Sequence, residues 1–360
     1  MAARVTTMTG RDRFLTTLRG EQPDRTPVWF MRQAGRCLPE YRALRAKHPF
    51  LEMATTPELA VEATLMPIDR FGIDGAVLFA DIMLPLTGMG VPFEIQPGVG
   101  PVIESPIRDA AAVDALRVVE PEEGTPYVLE AVRQLRRELG DRAALLGFAG
   151  APFTLACYLV EGRPSKEYPA AKALMYSQPD VWHRLMETLT DVTIRYLKGQ
   201  AEAGADVVQL FDSWLGLLDE ATFREYVFPY TSRIFAAMKG VVPAVHFSTG
   251  TVHLLEAIGE TGADVVSVDW RLPIDVAWDR LPAGTGIQGN LDPARLMAPW
   301  EVIRAGADDI LKRVDSRPRH VFNLGHGVMP QTDPDKLARL VEHVHATSAR
   351  RADDGRIENG

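Results

Sequence analysis

"AGADVVQLFD" at 203–212, "TGADVVSVDW" at 261–270 and "FGIDGAVLFAD" at 71–81 follow one plan. Each has a glycine, then an apolar run rich in branched residues, then an aspartate. Glycine suits the position just past a helix, where φ turns positive. A run that is apolar at every position suits a strand buried on both faces. The unit therefore reads as helix end, turn, parallel strand. "AGADDILKR" from Ala305 begins in the same way. Charges interrupt its apolar run, and it reads as helix.

Working outward from this unit, five more strands come into view: "TPVWFM" (26–31), "AALLGFAG" (143–150), "PAVHFST" (243–249), "GIQGN" (286–290) and "HVFNLGH" (320–326). Between the strands lie amphipathic stretches at 57–71, 126–139, 181–203, 219–239, 251–260 and 334–348. Strands that alternate with helices imply a parallel sheet. Eight strands with no excess favour a single (β/α)8 TIM barrel, with its active site at the C-terminal ends of the strands. A doubly wound sheet is the runner-up. The stretch 91–107 reads as an inserted hairpin. No Ser- or Gly-rich linker divides the chain, so residues 1–360 read as one domain, with a core over about 10–348 and a polar, frayed tail at 349–360.

Composition narrows the function. The chain is 46% hydrophobic and 24% charged, an ordinary globular balance. A net charge of −9 argues against a nucleic-acid partner. No apolar run approaches the length of a membrane span, and the N-terminus has no apolar segment of the secretory kind. Only Cys37 and Cys157 are present, so a disulfide framework is not expected and a reducing, cytoplasmic setting fits.

Against this acidic background, "FMRQAGRCLPEYRALR" (30–45) places Arg32, Arg36, Arg42 and Arg45 just past an apolar strand. Pro39 prevents one continuous helix, so Arg32 and Arg36 fall in a loop, and Arg42 and Arg45 on the helix after it. Arg42 reads as part of a solvated face. Gly35 lets backbone approach a ligand closely, and arginine offers a planar fork for carboxylates or phosphates. The segment reads as a site for a polyanion. Asp81, at the end of "AVLFAD", is a carboxylate among apolar neighbours and needs a partner. That partner is either one of the arginines or the N–H groups and developing positive charge of a ligand. Polar groups end the other strands too: Thr154 and Tyr158, Asp212 and Ser213, Ser248, Asp269, Asn290 and His326. Any single one can be only a helix cap. Their convergence on one face points to an enzyme.

Several motif matches carry no chemistry. "GTGIQG" (284–289) fits a dinucleotide pattern but lies within a strand rather than after one. His246-Phe247-Ser248 is an H-x-S where an H-x-C would indicate zinc, and the two cysteines have no suitable spacing. No metal site is expected. His343 and His345 read as surface residues of the last helix.

"MRQAGRCLPEYR", "FADI", "GAPFTLACYLVEG", "QLFDSW" and "FNLGHG" together resemble the uroporphyrinogen decarboxylase family, over about residues 10–348. The resemblance implies a (β/α)8 barrel and a cytoplasmic homodimer that acts in haem biosynthesis. It implies removal of CO2 from the four acetate side chains of uroporphyrinogen III, giving coproporphyrinogen III, with no metal or organic cofactor. It implies that Arg32, Arg36 and Arg45 bind carboxylates, with Gln33, Ala34 (through its backbone) and Gly35 in the same substrate-binding loop. Asp81 would accept the central pyrrole N–H groups. Tyr158, Ser213 and His326 are the remaining implied contacts, and Asp81, Arg32, Tyr158 and His326 the implied catalytic group. Arg32 and His326 are both candidate proton donors. Cys37 stands where the family often has an aromatic residue, so a local packing change is expected. Two other readings remain: a zinc-dependent methyltransferase of the same superfamily, against which the missing thiolate at Ser248 argues, and a noncatalytic porphyrinogen carrier.

Overall fold

Asp74, Asp206 and Asp264 each stand at the threshold of a strand, and each grips the neighbouring strand twice. Their backbone N–H groups donate to Val28 O (2.8 Å), Leu145 O (2.8 Å) and Ala244 O (3.0 Å). Their carboxylates accept the amides of those same three residues, each at 2.8 Å. The repeated Gly-x-Asp is thus a register lock. Gly72 and Gly204 cap the preceding helix, Gly262 lies two residues past the cap of its own, and in all three units the aspartate fixes which neighbouring residue the strand meets. A parallel pair offers no tight turn to set its register, so a side-chain lock supplies what a hairpin would.

The computed structural model describes residues 7–96 and 98–350. Seven parallel strands form one sheet in the order β1 (Gly75–Val77), β4 (Ala144–Gly150), β5 (Val207–Asp212), β6 (Ala244–Ser248), β7 (Val265–Ser267), β8 (Gly286–Leu291) and β9 (His320–Leu324). The expected hairpin is present as β2 (Glu94–Gln96) against β3 (Gly100–Val102), antiparallel. Residues 351–360 of the expected frayed tail lie outside the described residues.

The expected first strand, 26–31, is corrected by the structure. It makes one parallel bridge, Val28 with Phe322, and no ladder. The reason is local. The amide of Val28 donates to Asp74 Oδ2, that of Phe30 to Gln33 Oε1 and that of Met31 to Asn323 Oδ1. Side chains take donors that a neighbouring strand would otherwise use. The segment still lies between both sheet edges. Phe322 N–H donates to Pro27 O (2.9 Å) on the β9 side, and Asp74 N–H donates to Val28 O ahead of β1. The seven-stranded sheet is therefore curled, with its first and last strands facing the same extended segment.

The helices fall where the amphipathic pattern places them, including Pro57–Phe71, Pro126–Leu139, Pro179–Ala203 and Pro334–Thr347. Residues 305–313 lie within the helix Trp300–Val314, as their charges require. The expected 219–239 helix divides into Glu220–Tyr226 and Phe228–Met238. Pro229 cannot donate back across the break. Similarly, 251–260 is a short 3-10 turn followed by Leu255–Gly259.

Inside the curl pack Trp29, Leu146, Val207, Val245, Phe247, Val265 and Val321, and Phe14 and Leu18 of the helix Gly10–Arg19 pack against the same cluster. That helix lies against the N-terminal ends, where Arg13, with 3% of its side chain exposed, bridges Asp24 and Asp74. His345 completes this cluster by contacting Asp74 Oδ2 at 2.8 Å. His345 is therefore buried and structural, not a surface residue. With the N-terminal end filled, the opposite end of the curl is left for ligands.

Candidate active site

The arginine loop is held by its own polar groups. Gln33 is fully buried: its Nε2 donates to Gly75 O (3.0 Å) and its Oε1 accepts the Phe30 amide (3.0 Å). Its side chain faces the sheet wall and anchors the loop. Arg32 adopts φ 61°, a left-handed conformation rare for arginine, and its side chain is exposed. A Cβ at Gly35 would lie 2.8 Å from Arg32 O, so the turn requires glycine. Ala34 is half-buried between them. Arg42 clamps the loop by donating to Arg36 O (2.8 Å) and Cys37 O (3.1 Å). Cys37 itself is buried, and burial pushes its thiol up to about 11.

Arg45 donates to His48 O at 2.8 Å. Arg45 and Arg36 both bear on the buried Tyr41 hydroxyl, whose pKa burial raises and these two charges oppose. Among the described residues, the guanidinium groups of Arg32 and Arg36 make no hydrogen bond or ion pair within the protein. Most of the described arginines are paired, among them Arg11, Arg13, Arg224 and Arg280, so two unpaired ones on a single loop mark it as an anion-binding surface.

Asp81 stands opposite. Its Oδ1 accepts the Met83 amide at 2.8 Å. Burial raises its pKa, against the pull of the Met83 amide and the Arg32 charge. It retains some solvent contact, as a group on the floor of a cleft does. No arginine pairs with it among the described residues, which favours the ligand-facing reading of this carboxylate. Tyr158, on the helix Pro152–Glu161, is half-buried, and the Asp81 charge adds to burial in raising its pKa. Its ring meets Tyr168 (5.9 Å) and Trp214 (6.0 Å) edge-on. Ser213 directly precedes Trp214 and is half-buried.

His326 closes the ring of groups. Burial lowers its pKa to about 4, aided by the nearby Arg32 and Arg271 charges and opposed by Asp269. Its ring lies 6.0 Å from Phe247, which meets Phe211 (5.3 Å), which meets Phe148 (5.3 Å). These rings form an apolar floor. Arg32 and His326 are neighbours through Gly327, whose added Cβ would touch Arg32 Cδ.

The structure thus brings Arg32, Asp81, Tyr158, Ser213 and His326 to one mouth, with Arg36 and Arg45 grouped at its rim around Tyr41. Other strand-end residues hold loops instead. Asp269 accepts from Gly250 N, Thr249 Oγ1 and Arg271. Ser248 bonds Thr251, and Asn290 donates to Asp269 O and Leu272 O. Asp212 and His246 point outward beneath the helices and are fully buried. His246 and Ser248 therefore lie on the side of β6 away from the mouth. Among the described residues, no three His, Cys, Asp or Glu side chains are grouped to hold a metal. Sequence reading missed Tyr168, Trp214, Arg271 and the phenylalanine floor. Trp214 carried a signal, adjacency to Ser213. Tyr168, fully buried against Tyr158 and Trp214, carried none.

The family model for uroporphyrinogen decarboxylase (URO-D) matches residues 9–347. The chain belongs to the uroporphyrinogen decarboxylase family. A uroporphyrinogen decarboxylase of Thermobifida fusca is 53% identical over 93% of this chain and 93% of its own length. That of Carboxydothermus hydrogenoformans is 48% identical over 94% and 97%. Among solved structures, a methyltransferase from Methanosarcina mazei superposes with a TM-score of 0.81, at 21% identity over 94% of this chain and 99% of that one. That likeness concerns the fold alone. No helix among the described residues is long and apolar enough to cross a membrane.

Proposed function

We propose that this protein decarboxylates the four acetate side chains of uroporphyrinogen III to methyl groups, giving coproporphyrinogen III and CO2 without a metal or organic cofactor. The observation that carries the reading is Asp81: a carboxylate on an apolar floor, one oxygen held by Met83, facing unpaired arginines. A ligand that is anionic at its rim and rich in N–H at its centre fits that arrangement. Arg32, Arg36 and Arg45 receive carboxylates, Gln33, Ala34 and Gly35 shape the loop that presents them, and Asp81 accepts the pyrrole N–H groups.

The chemistry needs an electron sink, and the substrate contains one. A proton added to the pyrrole α-carbon next to the ring carbon bearing the acetate makes a cationic iminium system conjugated with the acetate methylene. The bond to the carboxylate then breaks, CO2 leaves, and the electron pair flows into the ring. A proton adds to the exocyclic carbon, the ring proton departs, and a methyl group remains. Asp81 stabilises the cation from a fixed position, an effect worth about 3–4 kcal/mol in comparable sites. Tyr158 and Ser213 orient the reacting acetate. His326 is neutral near pH 7 in the free protein. The substrate's own carboxylates raise its proton affinity on binding, so His326 and the permanently charged Arg32 are the two groups placed to move a proton.

The barrel reading extends the curled sheet by treating 26–31 as the eighth stave, held by Phe322 and Asp74. A cytoplasmic homodimer is part of the proposal. Cys37 and Cys157 are unpaired thiols. Trp270, Met297 and Met329, each at least 37% exposed, give the mouth face an apolar rim suited to a second copy.

The test is anaerobic incubation of the metal-stripped protein with uroporphyrinogen III, followed by oxidation and separation by carboxylate number. Successive seven-, six-, five- and four-carboxylate products are expected. Unchanged substrate from folded protein overturns the reading.

A further inference from the structure

Behind the mouth, on the outward side of the sheet, lies a polar group that the mechanism above does not use. Asp212 is fully buried, and it ends β5 where Val208 and Leu210 precede it on the same outward face. Its Oδ1 accepts a hydrogen bond from Thr154 Oγ1 at 2.9 Å, and Thr154 is also fully buried. Its Oδ2 has no hydrogen-bond partner among the described residues and stands 3.9 Å from Nε2 of the buried His246. A carboxylate here is costly for the fold. Apolar residues of similar volume in place of buried charges are often neutral or stabilising. Packing alone does not explain an aspartate at this position.

Its neighbours do. Thr154 lies one helical turn before Tyr158, on the same face of the helix Pro152–Glu161. Asp212 is the residue immediately before Ser213 and Trp214. A second bond runs in parallel: Ala151 N–H donates to Phe211 O at 2.9 Å. The helix that carries Tyr158 and the loop that carries Ser213 and Trp214 are thus fastened at one point, and Tyr158 meets Trp214 just in front of it, at 6.0 Å.

We propose that the Thr154–Asp212 hydrogen bond is a positioning latch that sets Tyr158 against Ser213 and Trp214. Neither residue touches the reacting atoms; both act through the groups they hold. The inference rests on the decarboxylase reading of the mouth. It predicts that removing the bond lowers activity by more than the accompanying loss of stability explains.

The experiment compares Thr154→Val, which keeps the shape and removes the hydroxyl, with Thr154→Ser, which restores it. Uroporphyrinogen turnover and the thermal midpoint are measured for both and for the unmodified protein. Thr154→Val leaves Asp212 without a partner and is expected to lower the thermal midpoint; assayed well below that midpoint, it is expected to lower kcat/KM by about tenfold or more, and Thr154→Ser to stay within about twofold of the original. Equal activity in all three proteins, equal losses in both variants, or a loss that follows the unfolded fraction overturns the latch. Absence of turnover by the unmodified protein overturns the decarboxylase reading instead, so the two failures are distinguishable.

Discussion

The side chain of Arg32 lies directly over Gly327: a Cβ added there would come 2.6 Å from Arg32 Cδ and 2.9 Å from its Cγ. The first loop and the last strand end therefore share one space, and the arginine fits only because residue 327 has no side chain. Gly327→Ala is expected to displace Arg32 and lower kcat/KM by about ten- to a hundredfold. Overpacking costs about 1–3 kcal/mol of stability. Steady-state kinetics with a denaturation curve checks this. Unchanged kinetics would mean that Arg32 moves without consequence.

Asp81→Asn keeps the shape and the contact with Met83 but removes the negative charge. If the carboxylate stabilises a cationic intermediate, turnover falls by about a hundred- to a thousandfold while substrate affinity changes far less. Roughly equal losses in binding and turnover would assign Asp81 to binding alone.

Arg36 is exposed and unpaired among the described residues, so its removal leaves no buried partner stranded. Arg36→Ala is expected to raise KM by about tenfold, with kcat nearly unchanged. The difference between the two proteins should shrink as salt screens the carboxylates. A loss confined to kcat would contradict a role in rim binding.

Two histidines, the buried His320 and the half-buried His326, link stability to pH. Burial lowers both His320 and His326 to about 4, whereas unfolded histidine titrates near 6.5. Between those values the unfolded chain binds more protons, so stability rises with pH and falls as the solution is acidified. Asp81, raised by burial, opposes this by binding a proton in the folded state. Asp24 and Glu40, held down in the fold, add their own loss at lower pH. Urea midpoints measured from about pH 6.5 to 4.5 should decline, and His326→Gln should flatten the decline. A flat profile in the original protein would refute the burial of these rings.

Asp74 ties Arg13, His345 and the Val28 amide together at the closed end. Asp74→Ala leaves a buried guanidinium with one carboxylate partner fewer and an orphaned amide. A loss of about 3–5 kcal/mol is expected, measurable by chemical denaturation. A loss below about 1 kcal/mol would mean that Asp24 alone satisfies Arg13.

How much of this was legible beforehand differs between elements. The three Gly-x-Asp units were visible because the same problem, starting a buried parallel strand after a helix, is solved with the same residues each time. The apolar run leading to Asp81 was legible as pattern, although β1 itself spans only Gly75–Val77 and Asp81 lies in the loop beyond it. The segment 26–31 was not, because its pattern is that of a strand while its amides go to Asp74, Gln33 and Asn323, all distant or out of register in the sequence. The burial of His345 depends likewise on what lies across the chain, whereas the helix break at Val227 is local and follows from Pro229.

The order of residues alone determined the alternation of strands and helices, the polar ends of the strands and the crowding of arginine after the first apolar run. These are local properties, written in periodicity and side-chain chemistry. Only the tertiary structure decided which strand-end groups face the mouth. Asp212 is the last residue of β5 and follows the alternation of the strand outward, while Ser213 opens the turn that follows. One therefore became part of the buried support beneath the helices and the other part of the site. That choice depends on how the sheet curls, and the curl is made by residues far apart in the chain.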